Sequence, residues 1–156
     1  MDFKIDLKIS PKLKPLFDKP EEVMRKTIWA GMVNLVEEIE ARAKKEAPVR
    51  TSNLINSITS SVSSDGLKGE VRSRAFSKEG KEYSEFVHRG TGLFGPFKQK
   101  IFPKTKKALF WPGAAHPVKW IKGMRPNPFF DRALKQIKPQ RVFEDGVEGY
   151  LKQFAP

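Results

Sequence analysis

The segment from Lys19 to Glu46 constrains the chain more than any other. Ile28, Met32, Leu35, Val36, Ile39 and Ala43 recur there at three- and four-residue steps, which places them on one stripe of an α-helix. Asp18 stands where an N-cap belongs, with Glu21 three residues on. Pro20 falls in the first turn, where a missing N–H costs little. Acids open the segment and Arg42, Lys44 and Lys45 close it, in the sense that the helix dipole favours. Pro48 stops it. The spacing predicts a helix roughly 40 Å long at about 1.5 Å per residue.

The flanking segments read as strand and short helix. Residues 3–9, FKIDLKI, alternate apolar and polar side chains in the pattern of a half-buried strand. SPKLKPLFDKP, with three prolines in eleven residues, reads as a linker. TSNLINSI offers a fresh helix start at Thr51 or Ser52, with Leu54, Ile55 and Ile58 as its apolar face. ITSSVSSDGLKGEVRSRAF reads as a β-hairpin turning at SDG, with Leu67, Val71 and Ala75 on its return arm. SKEGK is a further turn. YSEFVHRG fits a short helix with Tyr83, Phe86 and Val87 inward and Gly90 as its stop. Asn127 and Pro128 open a C-terminal helical region, 127–154. Its first stripe is Phe129, Phe130, Ala133, Leu134 and Ile137, and Pro139 breaks it. RVFEDGVEGYLKQF is a last helix that Gly146 and Gly149 weaken. The expected architecture is α+β: a long N-terminal helix packed on a small antiparallel sheet, an extended arm or hairpin, and a C-terminal helix. At 156 residues one domain is expected.

Residues 90–124 do not fit a lone compact domain easily. A structureless loop of thirty-odd residues is unusual, yet this one carries Phe94, Phe97, Ile101, Phe102, Leu109, Phe110, Trp111, Trp120 and Ile121. Water does not favour leaving so many large apolar groups uncovered. KALFWP and HPVKWIKG are expected to pair as a second hairpin. GLFGPFKQKIFPKTK is expected to order against a neighbouring subunit. The net charge is +12, and its placement is uneven. From Phe86 to Phe130 there is no acid, but Arg89, Lys98, Lys100, Lys104, Lys106, Lys107, Lys119, Lys122 and Arg125 occur. A one-signed stretch of this kind commonly faces a polyanion or an acidic partner surface.

Several chemistries are excluded or disfavoured. With no cysteine, disulfides, thiolate catalysis and cysteine-bound zinc are out. No apolar run approaches the roughly 20 residues that span a bilayer, and MDFKIDLKIS has no apolar signal-peptide core. An intracellular site of folding is expected. His88 and His116 stand 28 positions apart with no third ligand at metal spacing. Glu82, Glu85 and His88 could share a helix face and imitate an acid/base cluster, but such a face is more often solvated. GTGLFG suggests a phosphate turn only superficially, since no buried strand precedes it and no helix signal follows. Neither catalysis nor a cofactor is expected. From Phe94 to Lys107 aromatics alternate with lysines, a combination that stacks bases and contacts phosphates without reading sequence.

Three segments in order carry a family resemblance: AKKEAPVRTSNLINSI at the end of the long helix, YSEFVHRGTG, and MRPNPFFDRAL. Together, over roughly residues 20–138, the chain resembles the tail-completion, or head–tail joining, minor tail proteins of long-tailed bacteriophages. Ser52 stands where that family commonly has glycine, and His88–Arg89 where it commonly has glutamate. The resemblance implies a virion protein, assembled in the host cytoplasm and seated as a ring, six-fold, in the neck or the head-proximal end of the tail. Its neighbours would be the tail terminator and head-completion proteins, with no membrane partner. Arg89, Gly90, Thr91, Gly92, Phe94, Phe97, Ile101, Phe102, Pro128, Phe129 and Phe130 would meet the next subunit, with RGTG as a joint into the arm. Lys98, Lys100, Lys104, Lys106 and Lys107 would face DNA or an acidic partner. The alternative is non-specific nucleic-acid binding by segment 94–125.

Overall fold

A computed structural model of the chain describes residues 11–49, 52–111 and 113–155. The expected strand at 3–9 and the Thr51 cap lie outside the described residues. The fold is α+β. The elements run α1 (Lys14–Asp18), α2 (Pro20–Glu46), α3 (Ser52–Asn56), β1 (Ile58–Val62), β2 (Gly69–Ser73), α4 (Ser84–Arg89), a 3-10 turn (Gly92–Phe94), α5 (Phe129–Lys135), α6 (Pro139–Leu151) and a final 3-10 turn (Lys152–Phe154). β1 and β2 form the one named sheet among the described residues.

The chain divides into two compact units that interleave along the sequence. The first takes the described residues of Met1–Ala41, Ser60–Val71 and Ile137–Pro156; the second is Arg42–Thr59 with Arg72–Gln136. α2 and the hairpin contribute residues to both.

In the first unit α2 buries Val36, part of the stripe that the sequence marks, and also Val23, which lies outside that stripe. α6 packs on it closely. A methyl group on Gly31 would sit 2.7 Å from the Phe143 ring, and one on Gly146 would sit 2.9 Å from the Ala30 carbonyl oxygen. The Asn34 side-chain amide donates to the Val142 carbonyl at 2.6 Å. Gly146 is therefore where two helices meet rather than a flaw in α6. The hairpin turns through Asp65, which accepts hydrogen bonds from the Ser63 hydroxyl and, at 3.0 Å, from the Leu67 N–H. Ser60 donates to Glu40 of α2, tying the sheet to the helix that covers it.

The second unit holds most of the core. Ala43, Ala47, Leu54, Ile58, Ala75, Phe129 and Ala133 are buried there, and Ile58 and Phe129 are the largest side chains fully withdrawn from water. Each of those two contributes about 1.5–3 kcal/mol by burial alone. Arg132 clasps the end of α2: its Nε donates to Glu46 Oε2 at 2.7 Å and its Nη2 to the Glu46 carbonyl at 2.8 Å.

Several local expectations need correction. The linker contains α1, because Pro15 falls in that helix's first turn and needs no N–H acceptor. Asn127 does not cap α5; its side-chain oxygen is taken by Arg132, and the helix begins at Phe129 behind Pro128. Phe86 and Leu134 are exposed, not inward, and the buried member of α4 is Ser84. Its hydroxyl donates to the Ser73 carbonyl at 3.0 Å, so α4 docks through a hydrogen bond at that point.

Candidate functional site

α4 ends at Gly90, whose N–H donates back to Phe86 at 2.9 Å and whose φ of 77° turns the chain out of the helix. The segment that follows is fastened to residues 122–124 of the same unit. Thr91 N–H donates to Met124 O at 2.9 Å, Leu93 N–H to Lys122 O at 2.8 Å, and Met124 N–H to Thr91 Oγ1 at 2.9 Å. Gly92 has φ 63°, and any side chain on it would meet the Lys122 carbonyl oxygen at 2.2 Å. Glycine is needed there on both counts. The N–H groups of Gly90, Thr91, Leu93, Phe94 and Gly95 all have acceptors within the chain, so the GTGLFG turn is not an open phosphate cradle. RGTG is a joint, but its backbone is joined to its own unit.

Beyond the joint, two antiparallel bridges hold the arm: Ile101 with Ile121, and Leu109 with Val118. KALFWP and HPVKWIKG do pair, through the single Leu109–Val118 bridge rather than as full strands. Prolines at 96, 103, 117 and 126 remove ladder donors from this stretch. The front half, expected to order only against a neighbour, closes on its own chain through Ile101. The rings of the whole arm are left uncovered all the same. Phe97 is 86% exposed, Phe110 66% and Phe102 59%, and Phe94, Trp111 and Trp120 are exposed as well.

All nine cations of the acid-free stretch are exposed, including Lys98, Lys100, Lys104, Lys106 and Lys107. Lys100 Nζ lies 3.8 Å from the centre of the Trp120 ring, and Arg125 stands 5.5 Å over Phe94, both within cation–π range. The second unit carries 19 of the 30 basic residues and five of the 18 acids, a formal charge of +14. The first is left with 11 bases and 13 acids, or −2.

The fold brings Arg89, Gly90, Thr91, Gly92, Phe97, Ile101 and Lys104 to one groove of about 770 Å³, completed by Glu85, Phe86, Gly95 and Pro96. Phe94 and Phe102 lie outside that lining. Pro128, Phe129 and Phe130 form a separate cluster. There Phe129 is fully buried, its ring 5.4 Å from His88 and 4.7 Å from Phe130. Phe129 therefore anchors α5 and presents nothing to a neighbour, because its whole surface is spent inside the unit. A second groove, about 680 Å³ and mostly apolar, runs past Leu54, Phe76, Tyr83, Val87 and Met124. No sequence signal marks it, since its wall comes from five separate segments.

The Glu82, Glu85 and His88 trio is not assembled into an acid/base site. Glu82 accepts from the Ser84 hydroxyl at 3.2 Å, Glu85 pairs with Arg89 at 3.3 Å, and His88 Nε2 stands 3.8 Å from Asp131. His88 Nδ1 is buried without a hydrogen-bond partner. Hydrogen bonds from Arg132 and then Gln136 hold the Glu46 carboxyl below its ordinary value. Among the described residues no group of three or more potential ligands could hold a metal, and no helix is long and apolar enough to cross a membrane. No family model, curated protein or solved structure matches the chain.

Proposed function

We propose that the chain is a structural virion protein of a long-tailed bacteriophage, one copy of a ring in the neck or at the head-proximal end of the tail. It completes or joins head and tail assembly by shape and burial, without catalysis or a cofactor. One observation carries the reading: an arm fastened at its base and bridged along its length still leaves Phe97, Phe102, Phe110 and Trp111 in water. Large apolar patches on a folded chain mark surfaces that another protein covers. A head-to-tail interface closing into a ring, six-fold as the motif resemblance implies, would supply that cover from a second copy. The tail terminator and head-completion proteins would meet the ring above and below. Native mass spectrometry of the chain, alone and with co-expressed neck proteins, tests this. A closed oligomer or a stable complex is expected; a chain that stays single and binds none of them would remove the reading.

A second reading is favoured by the +14 charge and by Lys100 stacked on Trp120: non-specific nucleic-acid binding by segment 94–125. It requires affinity that falls steeply with salt as several phosphates are neutralised. A Lys104/Lys106/Lys107→Glu triple change should then abolish binding to a DNA duplex. Binding that ignores salt, or survives that change, removes this reading.

A further inference from the structure

We infer that residues 3–9 dock as a third strand of the sheet, pairing in parallel with the open edge of β1 in the same chain. The inference does not depend on the ring reading above.

β1 has one partner and one open edge. Ser63 N–H donates to the Lys68 carbonyl at 2.9 Å and Arg74 N–H to the Ser57 carbonyl at 3.4 Å, two bonds of one antiparallel register. Backbone groups alternate in direction along a strand, so those of Ser57, Thr59, Ser61 and Ser63 face β2. Those of Ile58, Ser60 and Val62 face away, and among the described residues no backbone group bonds to them there. The far side of β2, by contrast, is met at its end by the start of α4. Tyr83 N–H donates to the Ala75 carbonyl at 2.9 Å and the Ser84 hydroxyl to the Ser73 carbonyl at 3.0 Å. A two-stranded ribbon is marginal alone, and an open edge recruits other chains. Beside the edge of β1 lies a groove of about 220 Å³, lined by Trp29, Val33, Val36 and Glu37 of α2 and by Ser60, Ser61 and Val62. Trp29 stays exposed there.

The segment before Pro11 has the pattern, the reach and the direction to fill that edge. Phe3, Ile5, Leu7 and Ile9 alternate with Lys4, Asp6 and Lys8. A strand of this pattern lays one apolar row on Trp29 and Val33 and turns its charges to water. Pro11 sits in a cleft with Val23 and Lys26, near the start of α2. The helix from Val23 to Val36 spans roughly 20 Å, and the residues before Pro11 reach roughly 33 Å when extended. β1 runs back along α2: Ser60 donates to Glu40, and a methyl group on Gly66, past the end of β1, would sit 2.9 Å from Trp29 Cα. A segment that ends at Pro11 and lies along this groove therefore points the same way as β1. Parallel neighbours need a crossover between them, most often a helix, and α2 is that crossover. A strand from another molecule has no reason to match this length and direction. With its edge closed β1 no longer recruits other chains, and the arm remains the surface for association.

NMR on the full-length chain tests this. Nuclear Overhauser contacts in the parallel pattern are expected between the backbone of residues 3–9 and that of 58–62. The Ser60 and Val62 amides should exchange as slowly as those of Thr59 and Ser61. In an Ile5→Asp/Leu7→Asp chain the Ser60 and Val62 amides should exchange roughly tenfold faster or more, with Thr59 and Ser61 little changed. The inference is overturned if Ser60 and Val62 exchange in the parent as an open edge does, or if their protection ignores the double change. It is also overturned if residues 3–9 make no contact with 58–62, or an antiparallel one. A mixture of isotope-labelled and unlabelled copies whose contacts run between copies assigns the edge to a neighbour and overturns it as well. The parent measurements decide the matter even where the double variant fails to fold.

Discussion

Phe129 gives up all its exposure inside the second unit, while Phe97 keeps 86% of its own. The same substitution should therefore have opposite consequences at the two sites. Phe129→Ala removes a ring packed against His88 and Phe130 and should cost about 3–5 kcal/mol of stability. Phe97→Ala touches no core and should stay within about 0.5 kcal/mol of the parent. Urea unfolding of the two variants checks both, and a large loss at Phe97 would mean that the arm's rings already serve the chain's own core. Glu46 makes a residue-scale claim about pH. Its folded-state carboxyl lies below the ordinary value of 4.5, so the unfolded chain binds that proton more readily. The stability it contributes is full above the ordinary value and is lost as pH falls through the lowered one. Glu46→Gln should thus be less stable than the parent at neutral pH, and the gap should narrow in acid. A gap of constant size across that range would contradict the clasp with Arg132.

Among the elements, α6 gives a sharp contrast. Gly146 lies against the Ala30 carbonyl and Asn34, while a methyl group on Gly149 would meet nothing within 4 Å. Gly149→Ala should stabilise the chain by about 0.4–1 kcal/mol through helix propensity and the unfolded state. Gly146→Ala should destabilise it, because α2 would have to move. Thermal melts of the two variants decide the matter, and equal shifts would deny the close approach of the helices. The sequence treated both glycines alike, since propensity does not know which one faces a neighbour. It did mark α2 well: the stripe through Val36 and Ala43 is local periodicity, and local periodicity survives folding. Where a tertiary partner decides, the sequence was less informative. Asn127 has the right chemistry to cap α5, but Arg132 engages its oxygen instead. Phe86 has the right spacing to point inward, but a serine hydroxyl docks α4.

For the whole molecule, the joint and the charge were legible and the grooves were not. RGTG announced a helix stop and a turn through its glycines. The acid-free stretch was visible by inspection, and exposure of all nine of its cations follows from their own hydration. Neither groove has a motif, because each gathers side chains from segments far apart in sequence. The two units also differ in charge, +14 against −2, and the excess on the second disfavours pairing of two arms face to face. The central claim is that the rings of the arm are covered by a second copy or another virion protein. Hydroxyl-radical footprinting tests it most directly, reading Phe97, Phe102, Phe110 and Trp111 as protein concentration is raised and as neck proteins are added. The account predicts strong labelling in dilute solution and protection, greatest at Phe97, once complexes form. Rings labelled equally under every condition, or already protected in a solitary chain, would contradict it.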